Sequence, residues 1–562
     1  MSIDSVLTVI GLIITVYTII PRYKQLEYGL TRGGTEIFVL ICGALVVFYL
    51  QFYSSFSSVG LTPELGLKKY ELNPQNVSFL VVLITFIFLW ASYKFRKVDR
   101  KNISKLKILV EELMCEGKYS ELFDLLRSRL GEIDKVRKPK GFLFILKEKL
   151  KSKQLSRLPA VDHQTLMRLI QIAEGHGTKV QKKETTCKNY VVIELIGFLK
   201  KINHKGLSCL INLFPNYEDG QAAAAELINE IYTSESFAKS IAEINPYLIE
   251  NLLQHQFREN ADLVGLYLKA MMEKPNSILF KEIQQGLAQR GGEIGFIFPS
   301  SNRILKATLE NAQKAHDWGV YQGVGESVIK DLRLRRKMEI DSYNFPMEDF
   351  KEEGQKSSKV YNGIYFFDIM VRQALIQNIQ WHMWLYYFYH FTEEILKNVD
   401  REAEIDLNTE WPTPYHYLIY QLFSILEDWV RTVVDYDLSI EQENVKLERA
   451  GATHENGNII KSAMLCYGNC LNKLFCSPKI NDKFKTYIAD MAFRLYFDIA
   501  ANEKLSLYKT AFANILKSGG YFSTKSTEYH AQLKRVYNQL DFAEFQIERE
   551  EDFKELGKFL FG

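Results

Sequence analysis

Hydrophobic positions fall along this chain in two regimes. Three apolar stretches come first, and long runs with apolar residues three and four apart fill most of the rest. From Ile3 to Pro21 the run is mostly apolar, and Asp4, Thr8, Gly11, Thr15 and Thr18 are spaced so that they fall on one helical face, with Arg22 beyond. A bilayer core needs about 17–25 apolar residues, so this stretch is long enough to span it. The stripe has two readings, a packing seam of small and hydroxyl residues or the lining of a pore. Ile37 to Tyr53 and Val77 to Tyr93 repeat the apolar pattern, the latter with Ser78, Thr85 and Ser92 roughly on one side. The expectation is three transmembrane helices, spans about 3–21, 37–53 and 77–93, in a transmembrane domain over 1–100.

Beyond it the pattern predicts a mainly α protein, with a large cytosolic all-α body. Ile103 to Leu130 reads as two amphipathic helices joined at Gly117, part of a basic juxtamembrane helical hairpin over 101–158. A helical domain over 159–350 and an aromatic-rich one over 351–562 follow. Gln221 to Tyr232 is a strong helix former, and Trp411 to Tyr417 is a rigid turn before a long helix ending near Val434.

Composition supports an anchor on a water-soluble body. The 562 residues are 47% hydrophobic and 25% charged, with a mean hydropathy of −0.14. The net charge of +2 hides an asymmetry: Lys94 to Arg157 holds nineteen Lys or Arg against nine Asp or Glu. A basic belt in that place suits anionic lipid headgroups, with nucleic acid as the competing partner. The cations just after the third stretch, and none before the first, orient the N-terminus outside and the bulk inside. The first stretch lacks a basic leader and a small-x-small cleavage site, so it is expected to remain as an anchor.

Candidate chemistry is sparse. In Arg290 to Lys306, glycines and Pro299 lead to Ser300, Ser301 and Asn302 before a helix that begins near Arg303. Free N–H groups at a helix start, with Arg303 and Lys306 nearby, suit a phosphate, and ordinary capping explains the same residues. Gly319, Gly323 and Gly325 read as a flexible turn leading to a second cationic group, Arg333, Arg335 and Arg336, fit for phosphates or a salt-bridged face. Tyr361 to Phe391 reads as a buried core helix, because Asp368, Arg372 and Gln377 interrupt its apolar run; Trp381, Trp384, Tyr386, Tyr387 and Tyr389 suit a core or base stacking. Cys466 and Cys470, one turn apart, lack the paired spacing of a zinc site, so no metal and no cofactor is expected. No P-loop, HExxH, GxSxG or complete GxGxxG occurs, which points to binding rather than catalysis.

Three N-terminal spans before a large helical body resemble the membrane effectors of bacterial anti-phage systems, the Hailong-type channels among them. The resemblance implies an oligomeric channel or pore-forming effector in the bacterial inner membrane, gated by its cytosolic body. The signal it implies is a nucleotide or oligonucleotide, supplied by a partner signalling enzyme. Asp4, Thr8, Gly11, Thr15 and Thr18 would then line the pore of a homo-oligomer. Ser300, Ser301, Asn302, Arg303, Lys306, Arg333, Arg335 and Arg336 are the expected ligand-binding residues. The alternative is a membrane-tethered interaction or scaffold protein without conductance.

Overall fold

The computed structural model describes residues 34–58, 74–95, 102–138, 217–288, 298–377, 383–400, 411–435, 459–520, 527–540 and 550–562, with Val98, Phe296 and Ile379. Helices account for most of them, and no strand occurs among the described residues. The chain divides into two compact units, 1–230 and 231–562.

In the first unit, α1 (Gly34–Gln51), the short α2 (Tyr53–Ser58) and α3 (Pro74–Phe95) come first. α1 and α3 pack against each other at Gly43, where an added Cβ would lie 2.8 Å from Thr85 Oγ1. That hydroxyl is itself turned back to the Val81 carbonyl, at 2.8 Å. Small residues at such a crossing let two helices approach closely.

The expectation of transmembrane helices is corrected here. Among the described residues no helix is long and apolar enough to cross a membrane. The apolar part of α1 runs only from Ile37 to Leu50, bounded by Glu36 and Gln51. At 1.5 Å per residue it rises about 21 Å, and Val77 to Tyr93 of α3 about 26 Å, against a hydrocarbon core of roughly 30 Å. The first stretch, with Asp4, Thr8, Gly11, Thr15 and Thr18, lies outside the described residues. The fold is therefore mainly α, with no membrane-crossing helix among the described residues.

The two helices expected to join at Gly117 are present; residues 139–158 of the expected hairpin domain lie outside the described residues. α4 (Ile103–Cys115) and α5 (Tyr119–Arg137) turn at Gly117, whose φ of 68° is left-handed. Leu106, Leu109, Val110 and Leu113 of α4 are buried, as are Leu122, Leu126 and Ile133 of α5. The backbone N–H of Val98 donates to Glu132 at 2.8 Å and ties the preceding segment to α5. α6 (Tyr217–Tyr232) closes the unit.

The second unit contains α7 (Glu235–Ile244), α8 (Leu248–Leu253), α9 (Asn260–Met272), α10 (Ile278–Ala288), α11 (Arg303–Leu309), α12 (Ala312–Asp317) and α13 (Val320–Arg335). After two 3-10 turns come α14 (Glu353–Ser357), α15 (Lys359–Ile376), α16 (Tyr387–Asn398) and α17 (Pro414–Asp435). α18 (Ile459–Phe475), α19 (Asp482–Ala500), α20 (Ser506–Ser518), α21 (Thr527–Gln539) and α22 (Glu550–Phe561) complete it.

Two sequence expectations change in this unit. Only Gly319 of the glycine group turns the chain, with φ 60° before α13; Gly323 and Gly325 are buried inside the helix. A Cβ on Gly323 would run into the carbonyl oxygen of Gly265 on α9 and one on Gly325 into the Tyr387 ring, so these two glycines permit close packing of the helix, the first of them backbone to backbone, rather than a flexible turn. The aromatic stretch is two helices, α15 and α16, separated after Gln377, with a 3-10 turn at Met383–Tyr386.

The core is aromatic. Phe367, Phe388 and Phe391 meet within one cluster, and the Phe388 ring lies 4.7 Å from that of Trp429. Within it sits a polar knot: Arg372 Nε donates to Asp368 at 2.8 Å, and Trp429 Nε1 donates to the same carboxylate at 2.9 Å. Buried charges of this kind persist where partners satisfy them. Trp384 is buried as well, as a core side chain should be.

Candidate functional site

The helix start singled out by the sequence exists. α11 begins at Arg303 after a turn in which the Asn302 N–H donates to the Pro299 carbonyl. A helix start presents unpaired N–H groups and partial positive charge, and an anion there is stabilising. The chain fills that position itself, with a buried carboxyl. Glu282, on α10, accepts the N–H of Ile304 at 2.9 Å and of Leu305 at 2.9 Å through Oε2, and that of Ile304 again through Oε1 at 3.2 Å.

Asn302 makes no side-chain cap on its own helix. It is fully buried, and its Nδ2 donates to the Glu282 carbonyl at 2.9 Å, so α10 and α11 are clasped at two points. The Glu282 carboxyl, only 2% exposed, is pushed up to about 7 by burial, against which the backbone donors pull it down. Ser300 and Ser301 are exposed beside this arrangement, and the Ser301 hydroxyl contacts Asn302 Oδ1 at 3.3 Å.

The cations already have partners. Arg303 Nε donates to Glu250 at 2.9 Å while its guanidinium covers the Tyr247 ring at 4.5 Å. Lys306 lies 3.6 Å from Glu310. Arg333 and Arg336 converge on Glu394 of α16, at 3.4 and 3.3 Å. Arg335 is held by Asp331 at 2.9 Å and Asp341 at 3.1 Å, stacked over Tyr343 at 3.6 Å. The Tyr415 hydroxyl donates to the same Asp341.

Arg303 and Lys306 thus serve α8 and α11, whereas Arg333, Arg335 and Arg336 serve α13, the turn after it and α16. Each group meets its own acidic partners. Arg335 and Arg336 also line an open cleft of about 610 Å³, where Lys397 and Lys479 alternate with Glu339, Asp341 and Asp400. A wall of mixed sign does not focus the field that a phosphate-binding site needs.

Glu282 escaped the sequence reading, although a signal was there. In Ile278–Ala288 the buried positions are Leu279, Phe280, Ile283 and Gly286, and Glu282 falls on that same face. A carboxylate on an apolar stripe must find donors, and the next helix start provides them. Cys466 and Cys470 are buried free thiols on α18; the Thr392 hydroxyl contacts Cys470 Sγ at 3.4 Å. No group of three metal-ligating side chains occurs among the described residues.

The most exposed chemistry is apolar. Of 24 large hydrophobic side chains exposed among the described residues, fourteen lie between Phe38 and Phe88. Phe38 (66%), Ile41, Leu45 and Phe48 of α1 and Phe79, Leu80, Ile84 and Phe86 of α3 are all exposed. Such a concentration marks a surface that something covers. Comparison with known proteins gives no match to this chain among family models, curated proteins or solved structures, so no family residue is carried onto it.

Proposed function

We propose that this chain is a non-catalytic, membrane-associated interaction protein, with α1 and α3 seated together in the lipid surface without crossing it. The exposed apolar side chains of these two helices carry the reading. Burying one large hydrophobic side chain is worth about 1.5–3 kcal/mol, so the thirteen on these two helices represent on the order of 20–40 kcal/mol of gross driving force. Lipid is the covering phase because the sequence after α3 is rich in Lys and Arg, which pair with anionic headgroups. The paired state of Arg303, Arg333, Arg335 and Arg336 argues for a structural role of these cations in the body. The pore-lining residues of the channel reading lie outside the described residues, and no described feature supports a conducting path.

Flotation of the full chain with vesicles of mixed neutral and anionic phospholipid tests this. The protein is expected to float, and Ile41→Glu with Ile84→Glu to leave it in the dense fraction with its helical content intact. Equal flotation of the doubly substituted protein, or no flotation of the unsubstituted one, refutes the lipid seat.

A further inference from the structure

α22 is held to the helices around it by a single stripe. From Glu551 to Phe561, Phe553, Leu556 and Leu560 are buried, Gly557 and Phe561 are half-buried, and the rest are exposed. The seat beneath that stripe is aromatic. The Phe553 ring stacks on Tyr537 of α21 at 4.2 Å with an interplanar angle of 13°, and Phe493 and Phe497 of α19 lie 6.1 and 6.0 Å from it. Phe561 meets the same Tyr537 ring at 5.2 Å. Two polar contacts reach the α22 backbone. The Tyr537 hydroxyl donates to the Phe553 carbonyl at 2.7 Å, and Lys517 Nζ of α20 donates to the Phe559 carbonyl at 2.7 Å.

Gly557 shows how closely helix and seat are matched. A Cβ there would run into the Tyr537 hydroxyl and lie 2.8 Å from the ring carbon that bears it. Glycine inside a helix is unfavourable on its own account, so what this one supplies is room for the ring. Without α22 the rings of Phe493, Phe497 and Tyr537 lose the side chains packed on them, and the Tyr537 hydroxyl and Lys517 lose the carbonyls they now bind.

An amphipathic helix laid by its apolar face into such a seat, with anchors at i, i+3 and i+7, is a recurring way for a protein to take up a helix from another chain. The pattern this seat accepts is Phe-x-x-Leu-Gly-x-x-Leu, and Phe553 to Leu560 is the one place in the sequence where it occurs. The helix that fits is therefore α22, whether of the same copy or of another. Exchange of an identical element between copies remakes every contact it breaks. Its own α22 is offered to each seat at the effective concentration set by the tether, so a borrowed helix competes as the protein concentration rises. We propose that α22 is exchanged between two copies of this chain, each seating the other's helix on α19, α20 and α21. This goes beyond the membrane reading and uses none of its residues.

The test uses the full chain in a non-ionic detergent, without lipid, and a fluorescently labelled peptide of residues 550–562. Anisotropy is expected to show saturable binding at least about tenfold tighter to the Gly557→Leu chain, whose own helix is dislodged, than to the unsubstituted one. A peptide that itself carries Gly557→Leu is expected to bind neither. Phe553→Ala dislodges the helix in a second way and decides the matter if Gly557→Leu unfolds. In sedimentation velocity the unsubstituted chain is expected to form pairs that excess peptide separates. No saturable binding by either substituted chain, or undiminished binding of the substituted peptide, overturns the proposal. So does a chain that stays single at every concentration, or pairs that excess peptide leaves intact.

Discussion

Replacing Glu282 by glutamine isolates the proton held at the start of α11. The carboxyl is buried, and its folded-state value is pushed from 4.5 to about 7. The folded protein therefore holds this proton more tightly than the unfolded chain. Its stabilising contribution is complete below about pH 4.5 and is lost as pH rises through about 7. At about 1.4 kcal/mol per pKa unit the full swing is about 3 kcal/mol. Local opening of the seven-residue α11 sets a ceiling on that cost. Glutamine keeps an acceptor for Ile304 and Leu305 but carries no charge, so the variant should equal the parent near pH 5 and exceed it by up to about 3 kcal/mol at pH 8. Urea denaturation of both proteins from pH 5 to 8, with hydrogen exchange at the Ile304 and Leu305 amides, measures the difference. Parallel stability curves across that range would show that Glu282 does not titrate there.

Two further outcomes are expected. His416, buried beside the Thr413 hydroxyl at 2.8 Å, is lowered to about 4 by burial, so it stabilises the fold above pH 6.5 and that contribution is lost as pH falls through about 4. His416→Asn should flatten the acid limb of a thermal-denaturation profile by about 3 kcal/mol. Gly323→Ala forces a methyl into the Gly265 carbonyl and should cost about 1–3 kcal/mol or more in a chemical melt, while Gly319→Ala meets no neighbour and is penalised only by its left-handed backbone.

Helices were the legible part of this chain, because amphipathic spacing is local. α11 begins at Arg303, where the sequence places a helix start, although Asn302 does not cap it, and α17 follows the Trp411 turn. Gly323 and Gly325 were misread because the reason for a glycine can lie on another helix: what demands Gly323 is Gly265. The cations were visible in the sequence and their acidic partners were not. Glu250 is 53 residues from Arg303, and Glu394 is 61 from Arg333. The apolar stretches were legible as apolar, but whether a stretch spans a bilayer depends on where Glu36 and Gln51 bound the helix.

The polar knot inside the aromatic core limits how its helices can be arranged. Phe367, Phe388 and neighbouring rings are interchangeable contacts, and a helix of such residues can slide by a turn, about 5.4 Å, and still bury its surface. Asp368 cannot slide with it. Displaced by one turn, its carboxylate would leave Trp429 Nε1, and Arg372 would leave Asp428, which it now reaches at 2.9 Å. A stranded buried charge costs several kcal/mol, more than any repacked ring recovers. α15 and α17 therefore share a single admissible register, set by one carboxylate rather than by the many apolar residues around it.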